Sequence, residues 1–195
     1  ANAGCDVSFV ARGKHLEAML AHGLTIESDS HPAVHVAKVR ASDDPAKLGV
    51  ADLVIIAVKL WDLDNVARSI KPMVGPDTAV LSLQNGVIKD DILRKHYPET
   101  QIVGGVAYVA THIARPGVIE QVGVLQRVVL GEYDGKRSPR VQALVDALNP
   151  HVASLGVADT GVNLVAVNHN DPRDKLLRVI GTIETNAKAL RVHLE

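Results

Sequence analysis

One cysteine, Cys5, is all this 195-residue chain contains. That excludes an intramolecular disulfide and any metal cluster built on cysteines. It fits a reducing compartment, and a cytoplasmic location is expected. Aromatic residues make up 3% of the chain, too few for a platform on which bases stack. Neither sign of charge dominates, with 21 basic and 22 acidic residues. Nucleic acid and anionic membrane therefore find no electrostatic footprint. No apolar run approaches the roughly 20 residues that span a bilayer, and no signal-peptide pattern is visible. No G-x-G-x-x-G loop, internal repeat or low-complexity stretch occurs. What is present is 47% hydrophobic content, enough to bury a sizeable core. One large domain, or one domain and a piece of another, is the natural division.

The most informative stretch runs from Ala51 to Asn85. Asp52 to Lys59 is a continuous apolar run, rich in β-branched residues, that ends in a cation. Without alternation, such a run implies a strand covered on both faces, as in a parallel sheet. Leu60 to Lys71 then reads as a helix, with Leu63, Val66, Ala67 and Ile70 at helical spacing. Gly75-Pro76-Asp77 is a turn, and Thr78 to Leu83 is a second apolar run, followed by Gln84-Asn85-Gly86. This is a βαβ unit carrying one polar residue past each strand, Lys59 and Asn85. Open α/β sheets bind ligands beyond those carboxyl ends.

Elsewhere the pattern is shorter-ranged. Ala1 to Gly4 resembles the end of a helix, Cys5 to Ala11 a strand, and Arg12-Gly13 the turn after it. A chain opening in mid-motif implies a strand and a Gly-rich turn upstream. Lys14 to His22 reads as a helix stopped by Gly23. Strands are expected at Leu24–Ile26 and Val34–Val39, and a short helix between Ser42 and Gly49. Ile88 to Tyr97 is expected to be helical and Gln101 to Thr111 extended. Val118–Val122 and Leu125–Leu130 alternate as antiparallel strands do. Ser138-Pro139 opens a helix ending near Asn149-Pro150. Asp171-Pro172 opens a last helix reaching toward Leu194, with Ile180, Ile183, Ala187 and Leu190 on its apolar face.

Four stretches resemble the ketopantoate reductase family of NADPH-dependent 2-oxo acid reductases. They are Ala3-Gly-Cys-Asp-Val-Ser-Phe-Val-Ala-Arg-Gly13, Ile56-Ala-Val-Lys59, Leu83-Gln-Asn-Gly-Val87, and Gly104-Gly-Val106 through Arg115-Pro-Gly-Val118 to Leu130-Gly-Glu132. The resemblance runs to about Leu148. It implies an α/β fold: a Rossmann-like, doubly wound, mostly parallel sheet with an antiparallel extension, followed by part of an all-helical domain. The expected boundaries are 1–150 for the NADP-binding domain and 151–195 for the start of the helical substrate and dimerisation domain.

The resemblance also distributes roles. Arg12 stands where a Rossmann fold places an acid for NAD or a base for the 2′-phosphate of NADP. No acid follows until Glu17, so NADPH is expected. Lys59 is expected as a second cation for that phosphate, and Asn85 as a ligand of cofactor and substrate. Lys175, in Asp174-Lys-Leu-Leu177, is the candidate proton donor. Pro172 lies close to it, and the aromatic and asparagine that accompany the family's lysine are missing. The implied reaction is reduction of 2-dehydropantoate (ketopantoate) to pantoate by a possible homodimer. A reductase of another 2-oxo acid or imine, and a non-catalytic nucleotide-binding module, stand as alternatives.

The remaining candidates carry less. His31 and His35 are a metal pair or, with more weight, two surface histidines. His112 and Arg115 flank a turn. Cys5 is expected in a buried strand, as a small hydrophobe. Asp62 and Asp64 suit a helix N-terminus. Trp61, the sole tryptophan, either lines the cofactor cleft or packs.

Overall fold

The computed structural model describes residues 5–153, 162–163 and 181–184. The central βαβ unit is built around strands β5 (Ala51–Ile56) and β6 (Val74–Ser82), which pair in parallel, Val54 opposite Val80. The segment between them is tighter than a single helix. A 3₁₀ turn at Leu60–Asp62 leads into helix α2 (Leu63–Ser69), and a second 3₁₀ turn at Lys71–Met73 carries Pro72, which cannot continue a helix.

Strand β7 (Ile102–Arg115) adds in parallel to β6, with Leu81 opposite Val103. Strand β8 (Val118–Gly131) runs antiparallel to β7 along most of its length. The two runs expected on either side of Gly123 are thus one strand. Gly123 takes φ +76, and the pairing register shifts between Val109 and Ala110 to accommodate it. Strands β2 (Leu24–Ser28) and β3 (Val34–Val36) complete this sheet, β2 lying parallel to β8 and antiparallel to β3. A separate two-stranded parallel sheet holds β1 (Ser8–Val10) and β4 (Arg40–Ser42). Helix α1 (Gly13–His22) leaves β1 directly, and α3 (Ile88–Leu93) follows β6.

Both faces of the β5–β6–β7 sheet are covered. On one face Val54, Ile56, Val80 and Ile102 meet Leu63, Ala67 and Ile70 of the α2 segment and Leu93 and Tyr97 of the α3 segment. On the other, Ala79, Leu81 and Val103 meet Leu130 and, from helix α4 (Pro139–Ala153), Val141 and Val145. Neighbouring residues of β6 go to opposite clusters, as the pleat requires. That explains the unbroken apolar run of β6, which has no solvent face to alternate with; on β5 one face is buried through Val54 and Ile56 while Ile55 on the other is exposed. Gly105 matters to this packing, because a Cβ there would lie 2.2 Å from Leu81 Cδ1. The glycine lets Leu81 reach the second cluster.

The C-terminal expectations are corrected. Helix α4 continues through Pro150 to Ala153, at the cost of one backbone hydrogen bond. Residues Gly181–Glu184 are not helical but form a strand, β10, antiparallel to β8 and to β9 (Val162–Asn163). Thr182 and Ile183 are β-branched and favour extended backbone. The rest of that expected helix, including Ile180, Ala187 and Leu190, lies outside the described residues. Cys5 precedes β1 and is half-buried, so the strand is shorter than expected and leaves the thiol out of the core.

Candidate functional site

Strands β5 and β6 deliver Lys59 and Asn85 to the same end of the sheet. β5 ends at Ile56, and Lys59 follows in extended backbone (φ −69, ψ 151) as the residue before the 3₁₀ turn. β6 ends at Ser82, and Asn85-Gly86 turns the chain with φ +84 at the glycine, a conformation that suits Gly. Both side chains are exposed.

The residue that fixes them relative to each other is Gln84, to which the sequence reading gave no role. Its Nε2 donates to the Val58 carbonyl at 2.7 Å and to the Ile56 carbonyl at 3.2 Å. Its Oε1 accepts from the Ser82 hydroxyl. The Leu83 N–H also donates to Ile56 O. Gln84 is 8% exposed, so the ends of β5 and β6 are strapped by a buried amide. The sequence did carry a signal for it. Val80, Ser82 and Gln84 share the parity of one strand face, and a polar side chain on a buried face must find partners.

Arg12 sits at the start of α1, where β1 ends. Its backbone is extended (φ −138, ψ 158) and its side chain exposed. Among the described residues, none of Arg12, Lys59 and Asn85 has a side-chain hydrogen bond or ion pair. Two cations and an amide are therefore held at strand ends without being spent on internal structure. Arg12 belongs to the small sheet and Lys59 to the large one. β1 pairs only with β4 and β5 only with β6 among the described residues, so each keeps one edge open. On the face of β5 opposite Val54 and Ile56, Ile55 remains 47% exposed.

Beyond this rim the structure spends its charges on itself. Arg115 donates twice to Glu27, at 2.6 and 3.1 Å, and holds that carboxyl below its usual range. His112 lies 3.2 Å from Glu120. The residues flanking the turn thus brace strands. Asp64 accepts from His96 at 2.8 Å and from Arg68 at 2.6 Å; the His96 bond chiefly holds it low. His35 Nδ1 lies 2.9 Å from Thr25 Oγ1, while His31 Nε2 is buried with no partner among the described residues. No group of three or more side chains that could hold a metal ion occurs among the described residues.

Three further groups escaped sequence reasoning. Lys89 and Asp90 form an ion pair at 2.6 Å with side chains only 4% and 12% exposed, while neighbouring Ile88 is exposed. A six-residue helix is too short for periodicity to reveal this inversion. Burial, then the neighbouring Asp90, raises the Tyr133 hydroxyl's pKa, and Arg94 lies over its ring at 4.7 Å. On β8 and α4, Glu132 receives Arg140 and Ser138. Burial pushes the Glu132 carboxyl up, but those bonds together outweigh it and hold it below its usual range. Lys175 lies outside the described residues.

Comparison with known proteins agrees with this architecture. The family model described as ketopantoate reductase PanE/ApbA matches residues 1–135. A 2-dehydropantoate 2-reductase of Mesorhizobium japonicum is 33% identical over 73% of this chain and 49% of its own. One from Archaeoglobus fulgidus is 32% identical over 85% of this chain and 49% of its own. Among solved structures, 2-dehydropantoate 2-reductase from Geobacter metallireducens superposes with TM-score 0.69 at 28% identity, covering 75% of this chain and 48% of that one. The PanE/ApbA family ketopantoate reductase from Ralstonia eutropha gives 0.65 at 36%, covering 75% and 46%. The chain spans about half the length of the relatives it matches. No helix among the described residues is long and apolar enough to cross a membrane.

Proposed function

The chain belongs to the ketopantoate reductase family, and from that premise we propose that it forms the cofactor-binding part of an NADPH-dependent reductase of a 2-oxo acid, with 2-dehydropantoate as the leading substrate. One observation carries the reading. Two cations, Arg12 and Lys59, and one amide, Asn85, without a side-chain partner among the described residues, stand at the carboxyl ends of parallel strands. Ligands of open α/β sheets sit there.

The donor set fits NADPH. An acid after β1 would favour the free 2′-hydroxyl of NAD, and Arg12 stands there instead. Arg12 and Lys59 would hold the 2′-phosphate, and Asn85 would hydrogen-bond the nicotinamide ribose and the substrate. The bound cofactor supplies hydride to the substrate carbonyl carbon. Arg12 contributes a planar donor fork matched to phosphate, Lys59 a point charge, and Asn85 an orienting amide held in place through Gln84. Lys175 is the proposed proton donor to the new alkoxide.

The open edges of β1 and β5 favour a further parallel strand between them. Such a strand would join the two sheets and bring its own strand-to-helix turn out between Arg12 and Lys59. A Gly-rich turn there would cradle the pyrophosphate. The helical part that would close over substrate, and assembly as a homodimer, belong to the same reading.

The test is binding of NADPH against NADH by nicotinamide fluorescence. Tight binding with preference for NADPH is expected, and Arg12→Ala should abolish the preference by weakening NADPH alone. Loss of one bidentate phosphate contact is worth roughly 1.5–3 kcal/mol, or about ten- to hundredfold. Equal weakening toward both nucleotides would rule out a role at the 2′-phosphate. Failure to bind either would leave the sheet a scaffold.

A further inference from the structure

Trp61 is the one tryptophan of the chain, and it is 76% exposed. The residues around it explain how it is held and not why it is outside. Leu60 packs against the first apolar cluster, and Leu63 is fully buried in it. The 3₁₀ turn Leu60–Asp62 is thereby pinned on both sides with the indole left on its outer surface. An isolated exposed leucine needs no explanation, but an exposed indole on a pinned turn does.

Its position supplies one. Trp61 follows Lys59 by two residues at the carboxyl end of β5. Val87 and Ile88, 36% and 60% exposed, follow Asn85 at the end of neighbouring β6. The unpaired polar groups of the candidate site are therefore flanked by large apolar side chains. Such a rim suits a ligand that alternates charged and planar apolar parts. A further charge narrows the choice. Exposed Asp62 follows the indole directly, whereas Asp64 is engaged by Arg68 and His96. The Asp62 carboxylate disfavours a second phosphate on that side, and leaves the indole to a neutral ring.

We infer that Trp61 is a stacking residue for the adenine of the dinucleotide, with Lys59 holding the phosphate of the same nucleotide half. The inference rests on the cofactor reading above and goes one step past it, from the phosphate to the base. It selects adenine over nicotinamide because Arg12 and Lys59 mark the adenosine side, whereas Asn85, on the next strand, marks the reacting side. Stacking of a base on an aromatic ring is tolerant of orientation, which suits a side chain at the open edge of a turn.

Because the chain has no other tryptophan, its intrinsic emission reports on this position alone. The experiment titrates the full chain with adenosine 2′,5′-bisphosphate, which carries the base and the 2′-phosphate but no nicotinamide. Saturable quenching of the indole is expected, and nicotinamide mononucleotide should leave the emission unchanged. Trp61→Leu should weaken binding of the bisphosphate roughly tenfold, and Trp61→Phe should restore most of it. An emission that does not move at saturating bisphosphate, while NADPH binding is still seen through its own fluorescence, overturns the inference and leaves the cofactor reading intact. A response to nicotinamide mononucleotide alone overturns it too. Absence of any NADPH binding sinks the reading beneath it and the inference together.

Discussion

Replacing Gln84 by methionine removes the strap between β5 and β6 while keeping an unbranched side chain of similar length. Two donated bonds disappear, to Val58 O at 2.7 Å and Ile56 O at 3.2 Å, together with the acceptor for the Ser82 hydroxyl. The Ile56 carbonyl keeps its bond from the Leu83 N–H, so the principal orphans are the Val58 carbonyl and the fully buried Ser82 hydroxyl. Two net hydrogen bonds at about 1 kcal/mol each, plus partial desolvation of the orphans, give a loss of about 2–4 kcal/mol. With a urea slope of about 2 kcal/mol/M, the denaturation midpoint should fall by roughly 1–2 M at unchanged slope. Gln84→Glu sharpens the test. At neutral pH it turns a carboxylate toward two carbonyl oxygens. The folded state therefore raises that carboxyl's pKa, so the stability deficit holds above the folded pKa and is relieved as pH falls through it. A midpoint that moves by less than about 0.3 M in Gln84→Met, or a Gln84→Glu deficit independent of pH, would refute the role given to this amide.

Two other perturbations probe buried charge. Lys89→Met leaves the Asp90 carboxylate without its partner in a site where both side chains are almost fully covered. It should cost about 3–5 kcal/mol. Lys89→Met with Asp90→Asn should recover most of that by thermal denaturation, and a double variant no more stable than the single would count against the pair. Glu132, held low chiefly by its bonds from Arg140 and Ser138 against the upward push of burial, contributes stability that is complete above the ordinary carboxylate range. That contribution is lost as pH falls through the depressed pKa. Arg140→Leu should therefore lower stability at neutral pH and flatten its decline as pH falls below the ordinary carboxylate range; an acid limb parallel to the parent's would contradict this.

The sheet was legible where one physical signal dominates. The run of β6 is covered on both faces, with Val80 and Leu81 in opposite clusters; the run before Lys59 forms the expected strand but leaves Ile55 exposed on one face, because among the described residues β5 is an edge. The helix start at Pro139 and the stop at Gly23 were legible for the same reason, since proline and glycine act through backbone geometry alone. The Asn85 turn and the Lys59 terminus could be placed from sequence because they interrupt apolar runs. Long-range structure was less accessible. That β2 lies parallel to β8 depends on partners 93 residues apart, such as Ser28 and Gln121, and no local pattern encodes them. Lys89 and Asp90 lie in the segment expected to be helical, and nothing in its pattern marked them as the buried positions they are. Their mutual ion pair makes that burial tolerable. The strand at Gly181–Glu184 was hidden by apolar residues whose spacing also fits a helix face.

The same separation has a consequence for assembly. Closing β5 onto β6 joins residues 27 apart, as in the Thr78 hydroxyl's bond to the Ala51 carbonyl. Closing β2 onto β8 spans 93. By loop-closure entropy the second step costs about 1 kcal/mol more. Met19 and Leu24, buried near that outer junction, belong to neither apolar cluster. What offsets the extra cost is a polar clasp. Arg115 grips Glu27, Ser28 grips Gln121, and Asp29 receives the Gly123 N–H on both oxygens. One end of the sheet is closed by apolar burial over short loops, and the other by hydrogen bonds over a long one.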